Sequence, residues 1–334
     1  MKKSAKLLAL ILTIVMMGAI MTSCTLFKTE EPPKVDDNIE DGNGQEEKLY
    51  SPAIWKVTSA SGEGEIYLFG SIHAGDKDMY PLHDEIMNAY NSCDYLAVEA
   101  DVIAFEENPT AALEVMTPMI YQDGTTIENH ISSANYIKAK NALNELGVYN
   151  PVYDLYIPSF WTILIESSTL ANISSLNAEK GIDRYFLETA KADGKEIIEI
   201  ESAKEQYEML ASFSDELQEF LLKDIVDSYE SGELKNSLSE AVNLWKQGKV
   251  DELLSQDTDF EEMTEDEKVL YDEYMLKIMT QRNEKMIKAA DSYLKDGKKV
   301  FYVVGAAHMG GETGIVKGLE ALGYTVQRSS IRAK

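Results

Sequence analysis

A chain of 334 residues, 44% of them apolar, is long enough to bury one large core or two smaller ones. Its formal charge of −27 repels phosphate backbones and anionic lipid, which excludes nucleic acid as a partner and polybasic docking as a route to a membrane. With only two cysteines, Cys24 and Cys93, it has no disulfide framework.

At the N-terminus Lys2, Lys3 and Lys6 precede an apolar run from Leu7 to Ile20, too short and too close to the start for an ordinary membrane span, and "MTSC" ends it at Cys24. This pattern looks like a bacterial lipoprotein signal, with Met21 standing where leucine is commoner. The expectation is cleavage after residue 23, a lipid on the Cys24 thiol, and a body anchored to the cell membrane outside the cytoplasm. Residues 24–50 are rich in acids, Pro, Gly and Asn and poor in apolar side chains, so they are expected to act as a flexible tether. Once Cys24 is acylated Cys93 has no partner, and it is expected to be a buried, inert thiol.

In the body, "AIWKVTSA" and "GEIYLFGSIH" are expected as consecutive strands around the turn "SGEG", with "YLAVEAD" as a third strand after a helix over "PLHDEIMNAYNSC". Helical spacing of apolar residues follows in "NPTAALEVMTPMI", "ANYIKAKNALNELG" and "SFWTILIESSTLANI". "GIDRYFLETAKADGKEIIEIES" then reads as a helix, a glycine turn and a buried strand. From about Lys204 to Lys295 the chain is helical and highly charged. Strand "KVFYVVGAAH", helix "GIVKGLEALG" and strand "YTVQRSS" close it. The implied fold is α/β over residues 51–330: a mixed central sheet built from N- and C-terminal strands, with a long helical insertion at about 204–295.

Two of the chain's four histidines stand in the same setting, at the end of an apolar run and three residues after a glycine: "GSIH", 70–73, and "GAAH", 305–308. If the first and last strands share one sheet, His73 and His308 come to the same strand-end edge, as do Glu99 and Glu201 from their own strands. Open α/β sheets bind ligands at that edge. Imidazole and carboxylate suit Zn, Mn, Co or Fe, and a metal with an open coordination position activates water for hydrolysis. His73 and His308 are therefore candidate metal ligands, and Glu99 is a candidate ligand or general base. Glu201 is a second carboxylate, with Glu199 two residues further back on the same face.

The segments "LFGSIHAGDKDMYPL", "LAVEAD", "GIDRYFLETAKADGKEIIEIES", "QRNEKM" and "YVVGAAHMGGETGIVKGLEALGYTV" together resemble the TraB/GumN family, which is related to the Tiki proteases that trim Wnt proteins. The resemblance covers about residues 51–328. It implies a metal-dependent hydrolase, a peptidase acting on peptide or protein, with both GxxH histidines and the acid after the first motif in the active site and a divalent metal such as Mn, Co or Zn. Arg282 has Ile278, Met279, Lys285 and Met286 at helical spacing, so no acid on its own helix pairs with it. Its place in the matching "QRNEKM" implies that it reaches the pocket to hold an oxyanion or a substrate carboxylate. Asp183 in "GID" either caps its helix or orients a histidine. His83 and His130 read as structural, and "HISSA" lacks the Glu of an HExxH helix.

No GxSxG elbow, P-loop lysine or activated cysteine is present. The rival from another class is a surface protein of the same fold that binds a peptide or signal without catalysis. A hydrolase of esters or lactones is a third possibility.

Overall fold

The apolar runs on either side of "SGEG" pair as an antiparallel hairpin, β1 (Ile54–Thr58) and β2 (Glu65–Ser71), because alternating burial gives each one a core-facing side. The structure, a computed structural model, describes residues 51–59, 62, 64–255 and 263–329. The expected signal, its Cys24 and the tether lie outside them.

After β2 the chain runs through α1 (Asp84–Asn91) into β3 (Tyr95–Val98), then α2 (Val102–Glu106), α3 (Pro109–Met116), α4 (Ser133–Glu145), α5 (Pro158–Ala171) and α6 (Ile182–Asp193). α6 stops at Gly194, whose φ of 67° supplies the left-handed cap that ends a helix. β4 (Glu196–Glu199) follows, then α7 (Ala203–Ala211), α8 (Asp215–Ser231), α9 (Glu233–Lys246), α10 (Val250–Ser255), α11 (Glu265–Met275) and α12 (Gln281–Lys295). A π turn, Leu276–Thr280, joins the last two without a break. β5 (Lys299–Gly305), a short 3-10 turn at Ala306–Met309, α13 (Ile315–Ala321) and β6 (Thr325–Arg328) end the fold.

The strands form one mixed sheet in the order β4-β3-β5-β2-β1-β6, an α/β architecture assembled from both ends of the body as its strand pattern implies. β4, β3, β5 and β2 run parallel, and β1 is antiparallel to both β2 and β6. β5 lies in the interior because Val300 to Val304 are apolar or aromatic without interruption and all buried, as a strand covered on both faces must be. β4, expected as a buried strand, is instead an edge: it pairs only with β3, and Glu196 and Glu199 face solvent. Charge on its outer positions blunts an edge that would otherwise recruit another strand.

The helical insertion is not a detached unit. α8 packs along α5, whose residues from Pro158 to Glu166 are all buried, and α12 lies against β2 and β5. From α9, the Trp245 indole Nε1–H donates to the carbonyl of Gly70 at 2.7 Å. Gly70 is required by contact as well. A Cβ there would stand 2.9 Å from Cα and Cβ of Ala306, so the glycine of the first GxxH motif is pressed against the alanine of the second. Register accounts for it, since Gly70 lies opposite Val304 and Ser71 opposite Gly305.

Gly70→Ala is expected to destabilise the fold by about 1–3 kcal/mol through overpacking between the two central strands, read as a lowered urea midpoint with an unchanged slope.

Candidate active site

Parallel pairing brings the ends of β2, β3, β4 and β5 to one edge, and four sequence-identified residues follow those ends directly: His73, Glu99, Glu201 and His308. Arg282, expected as a substrate-binding group, arrives from the first turn of α12. All five are buried, and His308 has no exposed surface at all. Burial of so much titratable chemistry at a strand-end edge marks a functional site more often than a structural one.

Each histidine is oriented through Nδ1. His73 Nδ1 is 2.6 Å from Asp183 Oδ2, and the Asp183 main chain belongs to the "GID" segment that docks beneath it. In that segment Ile182 N–H donates to the Ile72 carbonyl at 2.8 Å, and a Cβ on Gly181 would meet the His73 carbonyl oxygen at 2.5 Å, so only glycine permits the approach. Asp183 therefore orients a histidine; the backbone of Gly181 opens α6, with no side-chain cap. Burial would raise the Asp183 carboxyl, yet the electrostatic pull and hydrogen bond of His73 hold it below its ordinary range.

His308 Nδ1 is 2.6 Å from Asn283 Oδ1, and Asn283 Nδ2 donates to the Thr313 carbonyl at 3.0 Å. That second bond fixes which way the amide points, so the imidazole Nδ1 must carry the hydrogen and Nε2 the lone pair. Burial, the nearby Arg282 charge and His73 all hold the His308 pKa well below the ordinary value, and the ring is neutral at physiological pH. Its Nε2 is buried and has no hydrogen-bond partner.

Arg282 ties the carboxylates together. Its Nε donates to Glu201 Oε1 at 3.0 Å, and its Nη2 donates to Glu201 Oε2 at 2.8 Å and to Glu99 Oε2 at 2.6 Å. Gln206 Nε2, from α7, reaches the same two residues at 3.1 and 3.3 Å. The remaining oxygen of Glu99, Oε1, accepts the Gly305 N–H at 2.6 Å and lies 4.0 Å from His308 Nε2. Burial raises the Glu99 carboxyl against the opposing pull of Arg282, while the same two carboxylates hold Arg282 charged at every physiological pH. Arg282 Nη1 is left buried without an acceptor.

Among the described residues, no three His, Cys, Asp or Glu side chains stand in ready coordination geometry. The donor set nevertheless suits a divalent cation. His308 presents a buried lone pair with nothing to accept, and two buried acids, Glu99 and Glu201, share a single guanidinium, Arg282, while a third, Asp183, stands on His73. A buried excess of carboxylate is costly without a compensating cation.

A cleft lined by Val102, Glu106, Gly181, Asp183 and Arg184 reaches His73 from the surface, and the Arg184–Glu106 ion pair spans it. The remaining sequence candidates lie elsewhere. Glu199 accepts the Asp101 N–H on the outer edge of β4, His83 caps α1, and His130 stacks on Tyr121 with ring centroids 4.0 Å apart. Cys93 is a buried free thiol, and burial pushes its pKa up to about 12. Two residues of the site carried no role in the sequence reading, Asn283 and Gln206. Asn283 sits inside "QRNEKM", next to Arg282, and that adjacency was the available signal; nothing local distinguished Gln206.

Arg282→Met is expected to cost about 3–5 kcal/mol at neutral pH, because two buried carboxylates lose their counter-charge. Their folded-state pKa values then rise above the unfolded ones. The deficit should shrink as pH falls through the carboxylate range and grow as pH rises, measured by urea unfolding between pH 4 and pH 8.

YbaP of Escherichia coli strain K12, described as an uncharacterized protein, is 30% identical over 154 residues, which is 46% of this chain and 54% of the relative. The protein of the same description from Shigella flexneri matches with the same identity and coverage. The chain thus spans about half the length of the curated relatives it matches. No solved structure matches it. The TraB/PrgY/gumN family matches over residues 53–328, a range that takes in both GxxH segments, the acids between them and Arg282, and the chain belongs to that family.

Proposed function

We propose that the protein is a metal-dependent hydrolase of peptide or amide bonds, with His73 and His308 as ligands of a divalent cation such as Mn, Co or Zn. The observation that carries this reading is the pairing of two imidazoles whose Nδ1 atoms are both held by oxygen partners, which directs both Nε2 edges the other way. Anchoring of one ring nitrogen by a carboxylate or amide is how ligating histidines are aimed and made more basic. A cation bound there would polarise the scissile carbonyl and make a bound water easier to deprotonate.

The chain's own groups divide the remaining work. Glu99 serves as general base: Gly305 N–H and Arg282 hold its carboxyl group in place, with Oε1 4.0 Å from His308 Nε2. Burial has raised its proton affinity, which suits a group that takes a proton from water and returns it to a leaving amine. Arg282 keeps Nε and Nη2 on the carboxylates and offers Nη1, a donor already desolvated, to oxygen charge that develops on the substrate. Glu201 holds Arg282 in place. Asp183 and Asn283 fix the two imidazoles and exchange no proton with substrate.

We propose further that Cys24 carries a lipid anchor and that the enzyme works at the cell surface on peptide or protein substrates. No helix among the described residues is long and apolar enough to cross a membrane.

Elemental mass spectrometry on the full chain is expected to find about one metal ion per chain, lost in a His73→Ala, His308→Ala double variant. Glu99→Gln should keep the metal and lower kcat on a peptide library by at least about 100-fold. Retained metal in the double variant would show the ligand assignment to be wrong. Absent cleavage would favour the binding protein instead, and cleavage that needs no metal would overturn the metal's part in the reaction. Asn283→Ala, which frees the His308 ring, is expected to weaken metal affinity by about 10- to 100-fold. Cys24→Ala should release the protein from the membrane fraction, and unchanged fractionation would count against the anchor.

A further inference from the structure

The strand-end groups are shut away from solvent in this fold. None of His73, Glu99, Glu201, Arg282 and His308 is more than 8% exposed. The cleft that reaches His73 has room for about two waters once open solvent is left out, which is too little for a peptide. One of its walls is α2, through Val102 and Glu106; the other is the 178–184 segment that leads into α6. A ligand reaches His73 by this route only if a wall moves.

The 178–184 wall is fixed to the site itself, since Asp183 holds His73 at 2.6 Å and Ile182 N–H donates to the Ile72 carbonyl at 2.8 Å. α2 is held differently. It is five residues long and buries two of them, Ile103 and Phe105, while its acids face two cations of α6. Glu106 pairs with Arg184, and Lys191 Nζ lies 3.7 Å from both Asp101 Oδ1 and Glu107 Oε2, the residues that cap α2 at either end. Seven residues apart, Arg184 and Lys191 share one face of α6. The pairs stand partly in water, with the Arg184 and Glu106 side chains 18% and 26% exposed, so each is weak and salt screens it.

The chain between Glu99 and α2 is built as a hinge. Val102 N–H donates to the Ala100 carbonyl at 3.1 Å, an inverse γ-turn centred on Asp101 with φ −81° and ψ 85°. Upstream of that turn, Glu199 Oε1 accepts the Asp101 N–H at 2.8 Å and pins the side of the chain that carries Glu99.

We propose that α2 is an ionic lid over the site: it swings about Asp101, away from Arg184 and Lys191, and the cleft widens to admit a ligand to His73 while Glu99 stays in place. Opening strands no charge. Glu188 Oε1 at 3.6 Å and Glu179 Oε2 at 3.9 Å remain with Arg184, and Glu106 returns to water. The lid is independent of which bond the site cleaves, and a ligand bound without cleavage needs it equally.

Hydrogen exchange and hydroxyl-radical footprinting of the full chain, both read by mass spectrometry, test the lid without requiring activity. In an Arg184→Met, Lys191→Met double variant, the amides of residues 102–107 are expected to exchange at least about tenfold faster, because the pairs that close α2 are gone. Oxidation of His73 by the radical, an uncharged probe about the size of water, should rise by about fivefold or more, with the fully buried Phe301 unchanged as a reference. Raising NaCl from about 0.05 M to about 0.5 M should move the unmodified protein in the same direction and leave the double variant where it is. That salt series decides the matter even where the variant folds poorly. Faster exchange at 102–107 with His73 oxidation unmoved would show that α2 is loose but guards nothing, and would overturn the lid. Exchange and oxidation insensitive to both salt and the two substitutions would overturn it as well.

Discussion

Arg282 between Glu99 and Glu201 is the interaction on which the site depends. Two carboxylates at adjacent strand ends, both buried, would repel each other and lose their hydration; a guanidinium driven in from the insertion satisfies both at once through three of its donors. A lysine ammonium could neutralise the charge but lacks the planar fork that meets two carboxylates together. The interaction also joins parts of the chain that are far apart in sequence, since Glu99 follows β3, Glu201 follows β4, and Arg282 opens α12. Closing the sheet and docking the insertion are thus the same event at this point. Such a pair adds little net stability, because desolvation offsets most of the attraction; what it adds is a fixed arrangement.

From that fixed point the two histidines are positioned by a repeated device. A glycine ends the strand, two small or apolar residues turn the chain, and the imidazole is held at Nδ1 by a side chain from a neighbouring helix: Asp183 on α6 for His73, Asn283 on α12 for His308. The partners differ in charge, and the difference has consequences. An aspartate supports positive character on its imidazole, whereas an asparagine does not, and His308, fully buried and close to Arg282, stays neutral. One ring is set up beside a carboxylate and the other as a plain lone-pair donor.

The insertion does more than cover the edge. α7 brings Gln206, α12 brings Arg282 and Asn283, and α9 anchors the whole to the Gly70 carbonyl through Trp245. Movement of these helices would therefore alter the electrostatics of Glu99 as well as access to it. The surface cleft at His73 is lined by Glu106, Asp183 and Arg184, and the Arg184–Glu106 pair joins two of them.

Much of this was written locally in the chain. Period-two apolar runs specified β1 and β2, uninterrupted ones specified β5, and a glycine placed the end of α6, because side-chain alternation and backbone permissiveness act within a few residues. The two GxxH segments, Glu99, Glu201, Asp183 and Arg282 were legible as candidates, since each stands at the end of a strand, opens a helix, or has no acid in helical register with it. Their meeting was not. β4 carries two apolar residues that read as core, yet its place at the sheet edge was settled by which strand β3 had on its other side. Gln206 and Asn283 are ordinary helix residues until the strand ends of the sheet are laid against them. Residue types and local periodicity determined the elements and the chemically able side chains. Only tertiary packing decided which of them became neighbours, because contacts between residues a hundred or more positions apart depend on strand order and helix docking, and no window of sequence contains either.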